Sequence, residues 1–292
     1  MKGGIPLMHH LCYPVSTEEA HLPFMGLSGP FEKNLDLLQA HGFAGVELMV
    51  RQPRELRADR IAQQLKDRGL KAAALGVAPM VAEDHLALAS PDKAVRREAL
   101  ERAKSAIELA GVLQAPFCIG RFRGFIDPQT PGNSREDALR TFEELGHCAA
   151  QCGTTILIEP QSTKNGNYLN SVPEAVEWIC LLGQKNFGLI LDVYHLDLTS
   201  PSLLGALAQA QGRCGLVHLC DSDRRMMGFG RLDLESFLRR LLADGYTGFF
   251  STEINQLPDM QTAVRMTADY YRYMQRVVLG LSDDPEKGGK RP

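Results

Sequence analysis

The sequence predicts an α/β protein built as a single (β/α)8 barrel, and three observations support that expectation. Short apolar runs alternate with helical patterns eight times along the 292 residues. The runs are too uniformly apolar for a sheet with one wet face, as a parallel sheet covered by helices requires. Four runs in the second half each end on a metal-capable side chain: Ile156-Leu157-Ile158-Glu159, Leu189-Ile190-Leu191-Asp192, Leu216-Val217-His218 and Phe249-Phe250-Ser251-Thr252-Glu253. A closed barrel gathers such strand ends at one mouth.

Taken in order, strands are expected at Pro6–Leu11, Gly45–Met49, Lys71–Leu75, Pro116–Gly120, Thr155–Glu159, Gly188–Asp192, Gly215–Leu219 and Gly248–Glu253. Helices are expected near Phe31–His41, Asp59–Arg68, Pro91–Ala110, Arg135–Cys152, Val172–Leu182, Ser202–Gln211, Leu234–Ala243 and Met260–Leu279. Ser90-Pro91-Asp92 places a capping hydroxyl before a first-turn proline, and Ser171-Val172-Pro173-Glu174 has capping-box spacing. Gly42, Gly69, Gly183 and Gly245 stand just past helix ends, where a left-handed residue is needed. The segments His41–Glu47 and Asp244–Phe249 echo each other, as repeated units would. The barrel is expected to span residues 1–281, with 12–30 a long loop rich in Pro and Gly forming a lid over the active site. A second long connection runs from Arg121 to Gly132 after the fourth strand, and 282–292 has no apolar residue to dock it and reads as a disordered tail.

Composition excludes several function classes. The chain is 44% hydrophobic with a formal net charge of −3, and its basic residues are dispersed, which argues against nucleic-acid and membrane partners. No apolar stretch is long enough to span a bilayer, and Met1-Lys2-Gly3-Gly4 opens no signal-like apolar core, so a cytoplasmic protein is expected. Seven cysteines form no zinc-like pairs, although Cys148 and Cys152 fall one turn apart; reduced, mostly buried thiols are the reading.

Glu159, Asp192, His218 and Glu253 form an oxygen and nitrogen set suited to one divalent cation, with manganese, magnesium, cobalt and zinc all open. Thiolate is absent from the set, which argues against a structural zinc site. Singly, an acid at a strand end is usually a helix cap or salt-bridge partner. Together, four such groups at one mouth would repel one another without a cation. An ion there can hold two oxygens of an α-hydroxy carbonyl and stabilise the enediolate left when a carbon-bound proton departs. Glu159 and Glu253, on strands five and eight, can then act as the catalytic acid and base on opposite faces of one carbon.

Substrate contacts are expected from His195, Arg224, Arg121 and His9. His195, one turn beyond Asp192, either touches substrate or packs against backbone. Arg224 would bring a fixed charge to substrate oxygens. Arg121 and Arg123 would meet a carboxylate or phosphate, or else serve surface ion pairs. Of His9 and His10, at the end of the first run, one lines the pocket and the other packs outside; His9 is assigned to the pocket. Glu47 either faces the lumen or forms a core salt bridge.

The stretches Ile158-Glu159-Pro160, Asn170-Ser171, Leu191-Asp192-Val193-Tyr194-His195, His218-Leu219-Cys220-Asp221-Ser222-Asp223-Arg224-Arg225 and Gly228-Phe229-Gly230-Arg231-Leu232-Asp233 resemble the xylose-isomerase-like sugar isomerase and epimerase superfamily. Ala74-Leu75-Gly76, Pro91-Asp92, Val95-Arg96-Arg97 and Ile119-Gly120-Arg121-Phe122-Arg123-Gly124 resemble its branch of ketose and keto-gluconate 3-epimerases. The resemblance implies a manganese-type ion on Glu159, Asp192, His218 and Glu253, with both glutamates doubling as acid and base and His195 and Arg224 contacting substrate. It also implies a small-molecule sugar or sugar acid as substrate, a role in carbohydrate metabolism, and a homo-dimer or homo-tetramer. One departure stands out: ketose epimerases of this group carry a further glutamate shortly after the strand-five ligand, whereas Glu159-Pro160-Gln161-Ser162-Thr163-Lys164-Asn165-Gly166-Asn167-Tyr168 has none.

The leading expectation is therefore a metal-dependent epimerase acting on a ketose or keto-sugar acid. The alternatives are an aldose-ketose isomerase, a dehydratase of an inosose- or dehydroshikimate-like ring on the same scaffold, and a non-enzymatic sugar-binding protein. The resemblance also brings in a multinuclear phosphodiesterase of the same superfamily, which would carry extra histidines where Leu75-Gly76 and Ile119-Gly120 stand, and that reading is disfavoured.

Overall fold

Alternation along the strands decides which side chains enter the barrel. A computed structural model of the chain describes residues 10–21, 25–278 and 280. Its strands are β1 (Leu11–Ser16), β2 (Gly45–Met49), β3 (Lys71–Gly76), β4 (Phe117–Ile119), β5 (Ile156–Ile158), β6 (Phe187–Asp192), β7 (Cys214–Leu219) and β8 (Phe249–Thr252). They pair in sequence order, all parallel, and β8 closes on β1 through Leu11↔Phe250 and Cys12↔Ser251. The helices are α1 (Phe31–Ala40), α2 (Ala58–Asp67), α3 (Ala78–Asp84), α4 (Lys93–Val112), α5 (Arg135–Gln151), α6 (Val172–Leu182), α7 (Val193–Thr199), α8 (Leu203–Gln209), α9 (Leu234–Ala243) and α10 (Met260–Tyr273). The expected (β/α)8 barrel is therefore the architecture observed.

Two hydrophobic layers follow from the period of two along each strand. Outward residues such as Ile158, Leu191, Val217 and Phe250 join the helices in the main core. Inward residues Ala74, Cys118, Leu157, Ile190 and Leu216, with Phe249 against them, form a separate plug inside the barrel. Glycines at the foot of the strands make room for it: a Cβ on Gly215 would stand 2.6 Å from Leu157 Cδ2, and one on Gly188 would stand 2.9 Å away. Two residues beyond the plug come Glu159, Asp192, His218 and Ser251, which the same alternation turns inward.

Register shifts refine this placement. The extra residue opposite Leu189 and Ile190 is Gly215, and beyond it Asp192 pairs with His218. His218 in turn stands opposite Ser251 on β8. A similar shift at Val46 and Glu47 leaves Ala73 as the extra residue of β3.

Several expectations need correction. β1 runs Leu11–Ser16, not Pro6–Leu11, so the connection to α1 begins at Thr17 and not at Cys12. Pro14 reads as a loop former, yet its carbonyl accepts from Leu27 N and Ser16 N donates to Leu27 O. The backbone at positions 14 and 16 thus faces Leu27 instead of β2, and the missing N–H breaks no bond of the β1–β2 ladder. The cap of α4 is Asp92, whose side chain accepts from Ala94 N and Val95 N; Ser90 is not the cap. Ser171 does cap α6, and Glu174 returns a bond to Asn170 N. Helices α3 and α7 were not expected, because seven residues are too few to show a helical period. The cysteines are free, but only Cys12, Cys118 and Cys220 are fully buried and Cys180 is exposed. His9 and the tail 282–292 lie outside the described residues, as do 22–24 within the expected lid. Among the described residues no helix is long and apolar enough to cross a membrane.

Candidate active site

At the C-terminal mouth of the barrel, Glu159, Asp192, His218 and Glu253 each offer one ligand atom, and the four atoms lie within 4.8 Å of one another. His218 Nδ1 is the hub: Glu253 Oε2 is 3.4 Å away, Glu159 Oε1 3.6 Å and Asp192 Oδ2 3.7 Å. Glu159 Oε1, Asp192 Oδ2 and His218 Nδ1 are buried without a hydrogen-bond partner. Orphaned polar atoms of this kind are rare in folded proteins, and here they converge on a common point. The donor set fits a divalent cation.

Asp192 divides its oxygens between two jobs. Oδ1 caps α7, accepting from Tyr194 N at 2.8 Å and His195 N at 3.3 Å, while Oδ2 faces the cluster. The structural and the ligand readings of this residue are both correct, one per oxygen. A capped aspartate cannot swing, so the helix fixes where the second oxygen points.

The charges do not balance without a cation. Three buried carboxylates, those of Glu47, Glu159 and Asp192, and the half-buried one of Glu253 surround His218, and one guanidinium, Arg224, reaches two of them, Asp192 and Glu253. Its Nη1 stands 2.8 Å from Asp192 Oδ2, out of line for a hydrogen bond, and donates to Glu253 Oε2 at 3.0 Å. Burial favours the neutral form of Glu159, and with the charges of Asp192 and Glu253 it raises that carboxyl above its ordinary range despite His218. Burial also pushes up Asp192 and Glu253, but Arg224 and His218 outweigh it and hold both low.

Arg224 is brought in by a strained backbone. Its φ of 60° is left-handed, at a cost of about 1–3 kcal/mol for a residue with a side chain. The turn is held by Arg224 N donating to Asp221 O at 3.0 Å and by Asn255 N donating to Arg224 O at 2.7 Å. The guanidinium lies 4.5 Å above the Tyr194 ring, and its Nη2 is 3.3 Å from His195 Nε2. The other ring nitrogen of His195 accepts from Ser162 N. His195 is thus both packed against backbone and lining the cavity.

The cavity, of about 470 Å³, is lined by the cluster and by Met25, Met49, Arg121, Phe122, Asn165 and Tyr194. Arg121 is exposed on its wall. Arg123 is not a surface residue or a substrate contact: it is fully buried and donates to the carbonyls of Tyr168, Gly120 and Leu169 and to Gln161 Oε1. Sequence reasoning left Glu47 open and missed Gln161 and Ser251. Glu47 faces the lumen, 3.3 Å from His218 Nε2, and accepts from Ser251 Oγ at 2.5 Å. Gln161 Nε2 donates to Glu159 Oε2 at 2.6 Å. Strand alternation could have flagged Ser251, two residues from the plug residue Phe249; Gln161 lies in the stretch after Glu159 that departs from the related epimerases, but no spacing singles it out.

Comparison with known proteins agrees with this fold. Residues 35–270 match the family model described as "Xylose isomerase-like TIM barrel". The chain is 29% identical over 141 residues to 3-dehydro-D-guloside 4-epimerase of Escherichia coli, a match covering 46% of this chain and 53% of that protein. It is 24% identical over 225 residues to L-ribulose 3-epimerase of Mesorhizobium japonicum, covering 76% of this chain and 74% of that one. The crystal structure of apo 3-keto-D-glucoside 4-epimerase from E. coli superposes with a TM-score of 0.74 at 18% identity, over 90% of this chain and 99% of that chain. The chain belongs to the xylose isomerase-like TIM barrel family.

Proposed function

We propose that this protein is a divalent-metal-dependent sugar epimerase or isomerase acting on a ketose or keto-sugar acid. The observation behind the reading is the pair Glu159 and Glu253: from β5 and the end of β8, each places an oxygen within 3.6 Å of His218 Nδ1. The named relatives are epimerases of keto-sugars and ketoses, which supports the same reaction class.

Glu159, Asp192, His218 and Glu253 would hold the ion. When bound, it would supply positive charge to the two oxygens of an α-hydroxy carbonyl and make the hydrogen on the hydroxyl-bearing carbon more acidic. Manganese suits this oxygen-rich set with a single imidazole.

The protein's own groups move the proton. One glutamate accepts the carbon-bound proton and leaves an enediolate, and the other returns a proton to the opposite face. Each carboxylate has a distinct setting, since Glu253 is paired with Arg224 while Glu159 Oε2 accepts from Gln161. Groups so unlike are suited to opposite roles in one turnover. Arg224 and His195, with Nη2 and Nε2 3.3 Å apart, would meet substrate hydroxyls at the cavity wall. Arg121 forms no ion pair with a described residue and would meet a carboxylate at the far end of a sugar acid.

The test is hydrogen exchange. With Mn²⁺ in deuterated water, a panel of ketoses and keto-acids followed by NMR should show deuterium entering the inverted carbon. Deuterium at the neighbouring carbon with aldose formation would indicate an isomerase instead, and loss of water a dehydratase. No exchange on any member of the panel would reject the reading.

A further inference from the structure

The side chain of Gln161 lies between a fully buried arginine and a candidate ligand. At one end its Oε1 is 3.3 Å from Arg123 Nη1 and 3.3 Å from Asn165 Nδ2. At the other its Nε2 is 2.6 Å from Glu159 Oε2. A guanidinium has donors only, so the amide end that meets Arg123 must be the oxygen. The end that meets Glu159 must then be the NH2 group, and the orientation of the amide is fixed by chemistry.

Arg123 itself cannot move. Besides Gln161 it donates to three backbone carbonyls, of Gly120, Tyr168 and Leu169, and burial lowers its pKa without removing its charge. Gly120 completes the cradle from β4. A Cβ there would stand 2.5 Å from Glu159 Oε2 and 2.9 Å from Gln161 Nε2, so only glycine lets the two side chains meet at that depth.

Glu159 is thereby left with unequal oxygens. Oε2 is occupied by the Gln161 amide, and Oε1 is buried, unpartnered and 3.6 Å from His218 Nδ1. We propose that Gln161, anchored by Arg123, is a positioning residue that makes Glu159 a one-oxygen ligand, by holding Oε2 away from the ion and turning Oε1 toward it. The inference rests on the metal-dependent reading above, and it assigns a role to the stretch after β5 where a carboxylate of the related epimerases is absent. Without the amide, Glu159 would be free to rotate and to offer both oxygens to the cation.

The test uses the full chain, with Gln161→Met, similar in length but without a donor, and Gln161→Asn, an amide too short to reach both partners. Mn²⁺ affinity is read by electron paramagnetic resonance and ion geometry by the visible spectrum of the Co²⁺-loaded protein; neither readout needs a substrate. Both variants should bind Mn²⁺ about 10–100-fold more weakly, the usual effect of removing a partner behind a ligand, and give a changed Co²⁺ spectrum. In the exchange assay kcat should fall by about the same factor with KM little altered. Should Gln161→Met fail to fold, Gln161→Asn decides. Wild-type Mn²⁺ affinity and an unchanged Co²⁺ spectrum in the folded variants would overturn the proposal. Altered affinity and spectrum in a protein that exchanges no sugar would instead reject the proposed function and leave the positioning role standing.

Discussion

Glu47 Oε2 lies 3.3 Å from His218 Nε2 and ties the imidazole to an acid buried on the far side of the ligand set. Burial disfavours the charged imidazole, but Glu47 first, then Asp192, Glu159 and Glu253, draw its pKa well above the ordinary histidine range. Ser251 Oγ donates to the same Glu47 oxygen and holds that carboxylate beside Nε2, at a distance but not in line for a hydrogen bond. A cation would take the place of the Nδ1 proton and leave the remaining one on Nε2, beside the Glu47 carboxylate.

Glu47→Gln should therefore weaken Mn²⁺ binding by about 10–100-fold while the barrel remains folded. A metal titration paired with circular dichroism checks this. Wild-type affinity in a folded variant would reduce Glu47 to a filler of the lumen.

Chelation is the simplest test of the ion. The purified protein should hold one divalent cation per chain by elemental analysis, lose exchange activity to EDTA and regain it on adding Mn²⁺. Replacing His218, which is within 3.7 Å of all three carboxylates, by Ala should abolish the regain. Activity indifferent to EDTA would remove the cation from the scheme.

Glu253→Gln and Glu159→Gln each keep an oxygen for the ion but lose the group that carries a proton. Epimerisation should fall by about two to four orders of magnitude in either variant. Each retains one working carboxylate, so exchange of the substrate hydrogen from one face should persist without inversion. Near-wild-type inversion by Glu253→Gln with the metal bound would refute the assigned roles.

Asp221 makes a separate prediction, about stability and pH. Its carboxylate accepts from Ser222 N at 2.8 Å, Gly228 N at 2.9 Å and Leu232 N at 3.1 Å, closing the loop that carries Arg224. Burial raises its pKa, but these backbone donors more than offset that and hold it below the ordinary carboxylate range. The folded value is therefore below the unfolded one. The stabilisation is complete above the unfolded value and is lost as pH falls through the folded value. Asp221→Asn should cost about 2 kcal/mol near neutrality, and the gap from wild type should narrow in acid. Urea melts at pH 7 and pH 3 measure both gaps; equal gaps would rule out the charged form as the cause.

Much of this molecule is legible residue by residue. The spacing of two between Leu157 and Glu159, Ile190 and Asp192, and Leu216 and His218 places a plug residue and a polar residue on the same face of each strand. A sequence shows that spacing directly. The misplacement of β1 has the opposite origin. Pro14 weakens any single-sequence case for a strand, and only its pairing with Leu27 shows that its missing N–H is harmless.

The sequence by itself thus determined the alternation of strands and helices, the closed parallel barrel, and the four side chains gathered at its mouth, because local periodicity and strand-end position suffice for each. The tertiary structure decided what those side chains do to one another. It split the oxygens of Asp192 between a helix and the cluster, joined Glu47 to His218 across the lumen, and buried Arg123 behind Gln161. Those relationships join residues up to 171 positions apart, from Glu47 to His218, and depend on ångström-scale approach between separate strands. No periodicity within one segment encodes a distance to another.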